Sequence, residues 1–104
     1  MPEPSKSGHT LNIETIVAGP LATNTYLISS GTQALVVDPG QGAADRVGAR
    51  TESGACRIVA IVNTHGHWDH VADDAQLIRD TGAPLLVHEY DAEMVRSPST
   101  SLSL

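Results

Sequence analysis

The sequence contains few of the residues on which several protein classes depend. Among its 104 residues there is no phenylalanine and only 3% are aromatic, so Val, Leu, Ile and Ala must build the core. A single cysteine, Cys56, excludes an intramolecular disulfide and fits a reducing compartment. No apolar run is long enough to span a bilayer, and residues 1–10 have no apolar stretch typical of a secretory signal. These absences predict a cytoplasmic protein with one domain.

Positive charge is also scarce. Six Lys and Arg residues against twelve Asp and Glu residues give a formal net charge of -6. This balance argues against nucleic acid or an anionic membrane as a partner, although bound metal ions would reverse the sign locally. We therefore expect a small-molecule substrate, no nucleic acid and no membrane.

Composition divides the chain into three parts. Residues 1–10 are polar and contain two prolines, which predicts a flexible leader. Residues 11–96 contain the periodic segments and are predicted to form the folded domain. Residues 97–104 are rich in serine and lack periodicity, which predicts a disordered tail or the end of a chain without its usual continuation.

The folded part begins with strand patterns. Leu11–Val17 alternates apolar and polar residues, and Thr23–Ser29 and Gln33–Val37 follow after short turns, so we expect an antiparallel meander. Ile58–Val62 is a continuous run of mostly β-branched residues, typical of a central strand that is covered on both faces. Pro84–Val87 predicts a further short strand.

Helical patterns separate the later strands. Ala43–Ser53 is a helix candidate that ends before Gly54, and Val71–Thr81 is a stronger candidate that ends before Gly82. Asp91–Arg96 predicts the start of another helix. In the stronger helix, three residues are predicted to share the inward face: Val71, Ala75 and Ile78. Strands followed by helices predict an α/β (α+β) fold.

A cluster of metal-ligand side chains follows the central strand. The segment Thr64–His70 reads Thr-His-Gly-His-Trp-Asp-His, and imidazole and carboxylate groups both suit zinc. His65 and His67 are two positions apart, so in an extended segment both point to the same side. Asp69 and His70 come where the chain turns into a helix and therefore point elsewhere. The spacing predicts two adjacent half-sites of two ligands each.

The motif does not complete either half-site, because a catalytic zinc usually takes three protein ligands and a water. Simpler interpretations stay open beside the metal site. Asp69 could cap a helix N-terminus, and a histidine in a loop is often merely solvated. Asp38 could begin a turn before Pro39. His88 is interpreted as lying at a strand end rather than as a ligand.

The motif and its surroundings resemble the metallo-β-lactamase fold superfamily. Thr-His-x-His-x-Asp-His after a hydrophobic strand is similar to that family's signature, and Asn24–Ile28 and Ala34–Gly40 resemble its earlier strand and turn. The sequence His67-Trp68-Asp69-His70 is most similar to that of the glyoxalase II-like branch. The resemblance covers about residues 11–96.

This resemblance implies roles for the motif residues. His65 and His67 would bind a first metal ion, and Asp69 and His70 a second. Asp69 would also orient the attacking water, which makes it the catalytic candidate. Asp38 would support the metal loop through hydrogen bonds. The implied metal is zinc, with two ions in a complete family member and with iron or manganese as alternatives.

The resemblance also implies that this chain is incomplete. The family fold is a four-layer helix–sheet–sheet–helix sandwich, and three further ligands lie downstream of the part matched here. We therefore expect a partial sandwich, mainly its first sheet with helices on one face, and self-association through the uncovered face. Ala72, Asp73 and Asp74 follow the motif where many relatives carry glycines.

The function predicted from these residues is that of a metal-dependent hydrolase. A metal-bound hydroxide would attack a thioester or another ester-like carbonyl. The alternatives are a truncated metal-binding remnant without turnover, an iron-dependent member similar to sulfur dioxygenases, and a small interaction module whose histidines are incidental.

Overall fold

The computed structural model describes residues 11–52, 54, 56–64 and 66–87. Its elements are β1 (Leu11–Ala18), β2 (Thr23–Ser30), β3 (Gln33–Val37), α1 (Ala43–Thr51), β4 (Arg57–Asn63), α2 (Trp68–Val71), α3 (Asp74–Thr81) and β5 (Leu85–Val87). The predicted leader, the predicted tail and the predicted helix Asp91–Arg96 lie outside the described residues. Within the described part, no helix has the length and apolar character that crossing a membrane requires.

The five strands form one mixed sheet in the order β1-β2-β3-β4-β5. The first three strands are antiparallel neighbours, which confirms the predicted meander. β3 and β4 are parallel and are connected through α1, and β4 and β5 are parallel and are connected through α2 and α3. The mixed sheet with its helices confirms the predicted α+β class.

One face of the sheet, the covered face, packs against α1 and α3. Register places Ile16, Leu27, Val36 and Ile61 on this face, and each is at most 7% exposed. The helices contribute buried side chains to the same core, chiefly Ala44, Val47 and Leu77. This layer of aliphatic side chains is the hydrophobic core of the described part of the chain.

The opposite face, the open face, carries apolar side chains without a covering layer in the described part. Its exposed members are Leu11 (64% exposed), Ile13 (62%), Val17 (51%) and Leu86 (53%), and its half-buried members are Ile28, Leu35, Val37 and Val62. A concavity of about 470 Å³ at one end is lined by Leu11, Ile28, Leu35 and Val59, among others. The prediction that β4 is covered on both faces is therefore wrong for the described part of this chain.

The segment after the motif forms two helices where the sequence predicts one over Val71–Thr81. α2 ends at Val71 and α3 begins at Asp74, and Asp73 lies between them in a non-helical conformation (φ -103°, ψ 11°). The break has a tertiary cause, because the Asp73 side chain accepts a hydrogen bond from the backbone N–H of Ala44 in α1. The predicted helix is confirmed over Asp74–Thr81, and only its predicted start at Val71 is wrong.

The inward face of α3 differs from the prediction for the same reason. Asp74 and Leu77 are buried, whereas Ala75 is exposed and Ile78 is 38% exposed. The non-helical turn interrupts the helical periodicity. The inward face of α3 therefore cannot be found by counting residues from Val71 in α2. The predicted end at Gly82 is confirmed, since Gly82 has φ 72° and donates its N–H to the carbonyl of Ile78 at 2.8 Å.

Candidate metal centre

The metal motif lies where β4 ends and the chain turns into α2. β4 ends at Asn63, and His67 is the N-cap of α2 in an extended conformation (φ -69°, ψ 144°). Asp69 is therefore the second residue of α2, and the alternative that it serves as a helix N-cap is wrong. His65 lies outside the described residues, so the predicted pair of His65 and His67 stays a prediction.

The potential metal-ligand atoms of Asp69 and His70 lie close to each other on α2. The Oδ2 atom of Asp69 lies 3.3 Å from Nε2 of His70. The hydroxyl of Thr23, at the start of β2, donates to the same Asp69 oxygen at 3.2 Å. Two donor atoms this close can bind a single ion, one from each side chain. Their assignment as ligands stays a prediction that this geometry permits.

Asp38 connects the motif to the end of β3. The side chain is buried, at 4% exposure. Its Oδ1 accepts the N–H of Thr64 at 2.7 Å and its Oδ2 accepts the Thr64 hydroxyl at 2.5 Å. The same Oδ2 lies 3.1 Å from Nδ1 of His70. This distance is within ion-pair range, so Asp38 is close enough to support the His70 ring on the side of Nδ1.

The backbone around Asp38 holds it in an unusual conformation. Asp38 has a φ of 54°, in the left-handed region that aspartate tolerates better than most residues. Its N–H donates to the carbonyl of Val62 at 2.8 Å, and its carbonyl accepts the Thr25 hydroxyl at 2.8 Å. These bonds on both sides of Cα explain why the strained conformation persists.

Gly40 allows the loop after β3 to approach α2 closely. A methyl group at this position would lie 3.2 Å from the carbonyl oxygen of Asp69 and 3.2 Å from Cβ of Thr23. The N–H of Gly40 donates to the hydroxyl of Thr25 at 3.0 Å. Gly40, Thr23 and Thr25 support the site, although the sequence patterns did not identify them. The signal available for the threonines was their i, i+2 spacing in β2, which places both on one face.

Asp73 connects three segments behind the motif. Its Oδ2 accepts the N–H of Ala44 at 2.8 Å, near the start of α1, where the N-cap Gly42 has no side chain. Its own N–H donates to the carbonyl of Pro39 at 3.0 Å, and its carbonyl accepts the N–H of Leu77 at 3.0 Å. Asp73 therefore caps α1 from outside and is itself the N-cap of α3.

Asp74 is a buried acid directly behind the motif. Burial raises the pKa of its carboxyl to about 7. The charges of Asp38 and Asp73 also raise this pKa, and a hydrogen bond from Asn63 opposes them. The side-chain amide of Asn63 donates to Oδ1 of Asp74 at 3.0 Å. The acidic pair Asp73 and Asp74 is thus built into the interior.

The described residues include the kinds of side chain that bind a divalent metal, but too few of them come together to complete a site. Carboxylate and imidazole are ligands that zinc and iron accept. Within the described residues, which leave out His65, no three His, Cys, Asp or Glu side chains converge to hold an ion. His88, interpreted as a strand-end residue, also lies outside the described part.

Comparison with known proteins identifies the family. A model described as the metallo-beta-lactamase superfamily matches residues 18–100 of the chain. An uncharacterized protein of Mycobacterium tuberculosis is 40% identical over 84 residues, which cover 78% of this chain and 37% of that protein. Hydroxyacylglutathione hydrolase of Anaeromyxobacter dehalogenans is 39% identical over 72 residues, which cover 69% of this chain and 28% of that enzyme.

A solved structure shows the same fold. The crystal structure of a protein in a di-iron-bound form matches with a TM-score of 0.73 and 27% sequence identity, over 85% of this chain and 44% of that chain. The likeness confirms the predicted partial sandwich. This chain spans less than half the length of each of these three proteins.

Proposed function

We propose that this chain, which belongs to the metallo-β-lactamase superfamily, supplies part of the metal centre of a metal-dependent hydrolase. One observation carries the proposal. His70 has Nδ1 at 3.1 Å from the buried carboxylate of Asp38 and Nε2 at 3.3 Å from Asp69. This is the arrangement expected of an imidazole ligand whose second nitrogen is held by a supporting acid.

The proposed roles of the residues follow from these contacts. His65 and His67 would hold one ion, and Asp69 and His70 a second, with zinc as the proposed metal and iron or manganese as alternatives. A bound divalent ion supplies Lewis-acid polarisation of a carbonyl and lowers the pKa of water. Asp38, whose carboxylate lies 3.1 Å from Nδ1 of His70, would orient the ring. Asp69, held by the hydroxyl of Thr23, is proposed to orient the attacking water.

The proposed substrate is a small molecule with a thioester or another ester-like carbonyl, and the proposed compartment is the cytoplasm. The relative named hydroxyacylglutathione hydrolase supports this class and the glyoxalase II-like branch. Neither nucleic acid nor a membrane is proposed as a partner, because the formal net charge is -6.

A second candidate function is metal binding without turnover. The observation that favours it is the ligand count, since only two predicted ligands, Asp69 and His70, meet within the described residues. A third candidate is an iron-dependent oxygenase similar to sulfur dioxygenases. It is favoured by the solved structural neighbour in a di-iron-bound form.

Metal titration of the 104-residue chain tests the proposal. Zinc and iron(II) binding would be measured by calorimetry for the wild type, Asp69→Ala, His70→Ala and Asp38→Ala. We expect each substitution to weaken binding by about 10–100-fold, because ligands and their supporting partners have effects of that size. Asp80→Ala, an exposed acid on α3, is the matched control and should bind as the wild type does.

Turnover separates the candidates. Hydrolysis of a thioester by the zinc-loaded chain, lost in Asp69→Ala, supports the hydrolase. Metal binding without hydrolysis supports the non-catalytic candidate, and oxygen consumption with iron supports the oxygenase. Unchanged metal affinity in His65→Ala, His67→Ala and Asp69→Ala together would overturn all three and favour an interaction module.

A further inference from the structure

Two buried polar atoms behind the metal motif have no hydrogen-bond partner among the described residues. They are Oδ1 of Asn63 and Oδ2 of Asp74. Both residues are buried, at 3% and 6% exposure respectively. An unsatisfied buried acceptor costs about 1–3 kcal/mol, so two neighbouring examples in one small core require a physical explanation.

The two atoms belong to side chains that are already joined. The amide Nδ2 of Asn63 donates to Oδ1 of Asp74 at 3.0 Å. Each side chain ends in a planar group with two polar atoms, and one atom of each is used in this bond. The two remaining atoms are both acceptors when Asp74 is ionised, so neither can bond to the other. A single proton on Oδ2 of Asp74 would supply the missing donor.

We propose that Asp74 is a neutral carboxylic acid in the folded protein and forms with Asn63 a cyclic acid–amide pair held by two hydrogen bonds. Nδ2 of Asn63 donates to Oδ1 of Asp74, and the protonated Oδ2 of Asp74 donates to Oδ1 of Asn63. The one proton on Oδ2 of Asp74 thus gives a hydrogen-bond partner to both atoms, Oδ2 of Asp74 and Oδ1 of Asn63. No charge remains in the buried pair.

The surroundings of Asp74 favour the neutral form. Asp38 approaches from the loop after β3 and Asp73 from the turn before α3, and both carboxylates disfavour a further negative charge. Burial acts in the same direction and is the largest cause of the raised pKa of about 7. The geometry and the electrostatics of the described residues therefore agree.

The pair joins the strand that leads into the motif to the helix that follows it. Asn63 is the last residue of β4 and directly precedes Thr64, whereas Asp74 is the first residue of α3. The hydrogen bond between Asn63 and Asp74 therefore connects the two ends of the segment that contains the motif. Asp38 binds the same segment at Thr64. Neither member is assigned as a ligand, so the inference does not rest on the proposed function.

A proton-dependent pair makes stability depend on pH in a defined direction. The pKa of Asp74 in the folded chain, about 7, lies above its ordinary value of 3.8. The unfolded chain releases this proton near pH 4, whereas the folded chain retains it until pH 7. The folded state is therefore destabilised progressively as pH rises from about 4 to about 7, and the loss is complete above that range.

Carbon-detected NMR of the uniformly labelled 104-residue chain tests the pair directly. We expect the side-chain carboxyl carbon of Asp74 to titrate with a midpoint near pH 7, and the side-chain amide of Asn63 to shift with the same midpoint. Titration of Asp74 near its ordinary value would overturn the proposal. Titration of Asp74 near pH 7 without any response of the Asn63 amide would also overturn it.

Asp74→Asn provides a second, independent measurement. Its amide group resembles the neutral acid in shape and can donate to Oδ1 of Asn63 at every pH. Between pH 5 and pH 8, we expect the melting temperature of the variant to fall by about 10–20 °C less than that of the wild type. Asp80→Asn, on the exposed side of the same helix, is the control and should retain the wild-type dependence. Equal pH dependence in the two variants would contradict the pair, and the wild-type titration decides if Asp74→Asn does not fold.

Discussion

The covered and open faces of the sheet are built from the same five strands and differ in what lies over them. On the covered face, Ile16 and Ile61 are fully buried under α1 and α3. On the open face, Ile13 and Leu86 are more than half exposed. Both faces are apolar, so hydrophobicity alone does not tell them apart. What differs is whether the chain provides a second layer, and the described part provides one layer of helices.

The open face is large enough to be an interface. Five strands spaced about 4.8 Å apart and about 20 Å long present roughly 500 Å². Two copies facing each other would bury about 1,000 Å², near the lower limit for a specific interface. Register also places one cation, Arg57, on the open face, and no acid in the strands lies on it, so the net negative charge does not oppose the contact directly. We therefore keep self-association of two copies through this face as a prediction.

Truncating one leucine on each side of the sheet gives the largest expected contrast. Leu77→Ala removes a side chain of α3 that is 1% exposed and should lower the free energy of unfolding by about 2–5 kcal/mol. Leu86→Ala removes a side chain of the open face that is 53% exposed and should cost less than about 1 kcal/mol. Urea denaturation of both variants at low protein concentration measures the difference. Equal costs would show that the open face is buried in solution.

Substituting Asp73 tests how much its contact with α1 stabilises the layer of helices on the covered face. Asp73→Ala takes away the acceptor for the N–H of Ala44, and we expect a loss of about 0.5–2 kcal/mol in the free energy of unfolding. Asp73→Asn retains a side-chain oxygen and should restore most of the loss. Asp80→Ala, which removes an exposed acid of α3, is the control for loss of a carboxylate. If Asp73→Ala and Asp80→Ala cost the same, the bond to Ala44 has no special role.

Polar substitution of the open face should change association with a small effect on monomer stability. In the double variant Ile13→Thr and Leu86→Thr, the exposed apolar area is reduced while one β-branched residue is kept in β1. We expect the wild type to sediment increasingly as a dimer with rising concentration and the variant to remain monomeric. Asn12→Ser, on the same strand and pointing to the other side, should behave as the wild type. A wild type that is monomeric at high concentration contradicts the prediction.

Much of the fold could be predicted from local patterns. The alternation in Leu11–Val17 and the continuous run in Ile58–Val62 identified β1 and β4, because strand periodicity is a local property. The position of the metal motif after β4 followed in the same way. The end of α3 at Gly82 was predictable because a left-handed cap requires a residue such as glycine.

The break between α2 and α3 could not be predicted because its cause is distant in the sequence. Asp73 leaves the helical conformation where its side chain meets Ala44, which lies 29 positions earlier. The same limit applies to Thr23, whose contact with Asp69 joins residues 46 positions apart. Local propensity contains no information about such partners.

The sequence by itself determined that imidazole and carboxylate groups come together at the end of a buried strand, since four of them fall within residues 65–70. Only the tertiary structure decided which groups support them. Asp38 reaches Thr64 and His70 because β3 and β4 are parallel neighbours whose carboxyl ends meet at one edge. Tertiary structure also decided which apolar face of the sheet is covered, because burial depends on where helices pack and both faces carry the same kinds of side chain.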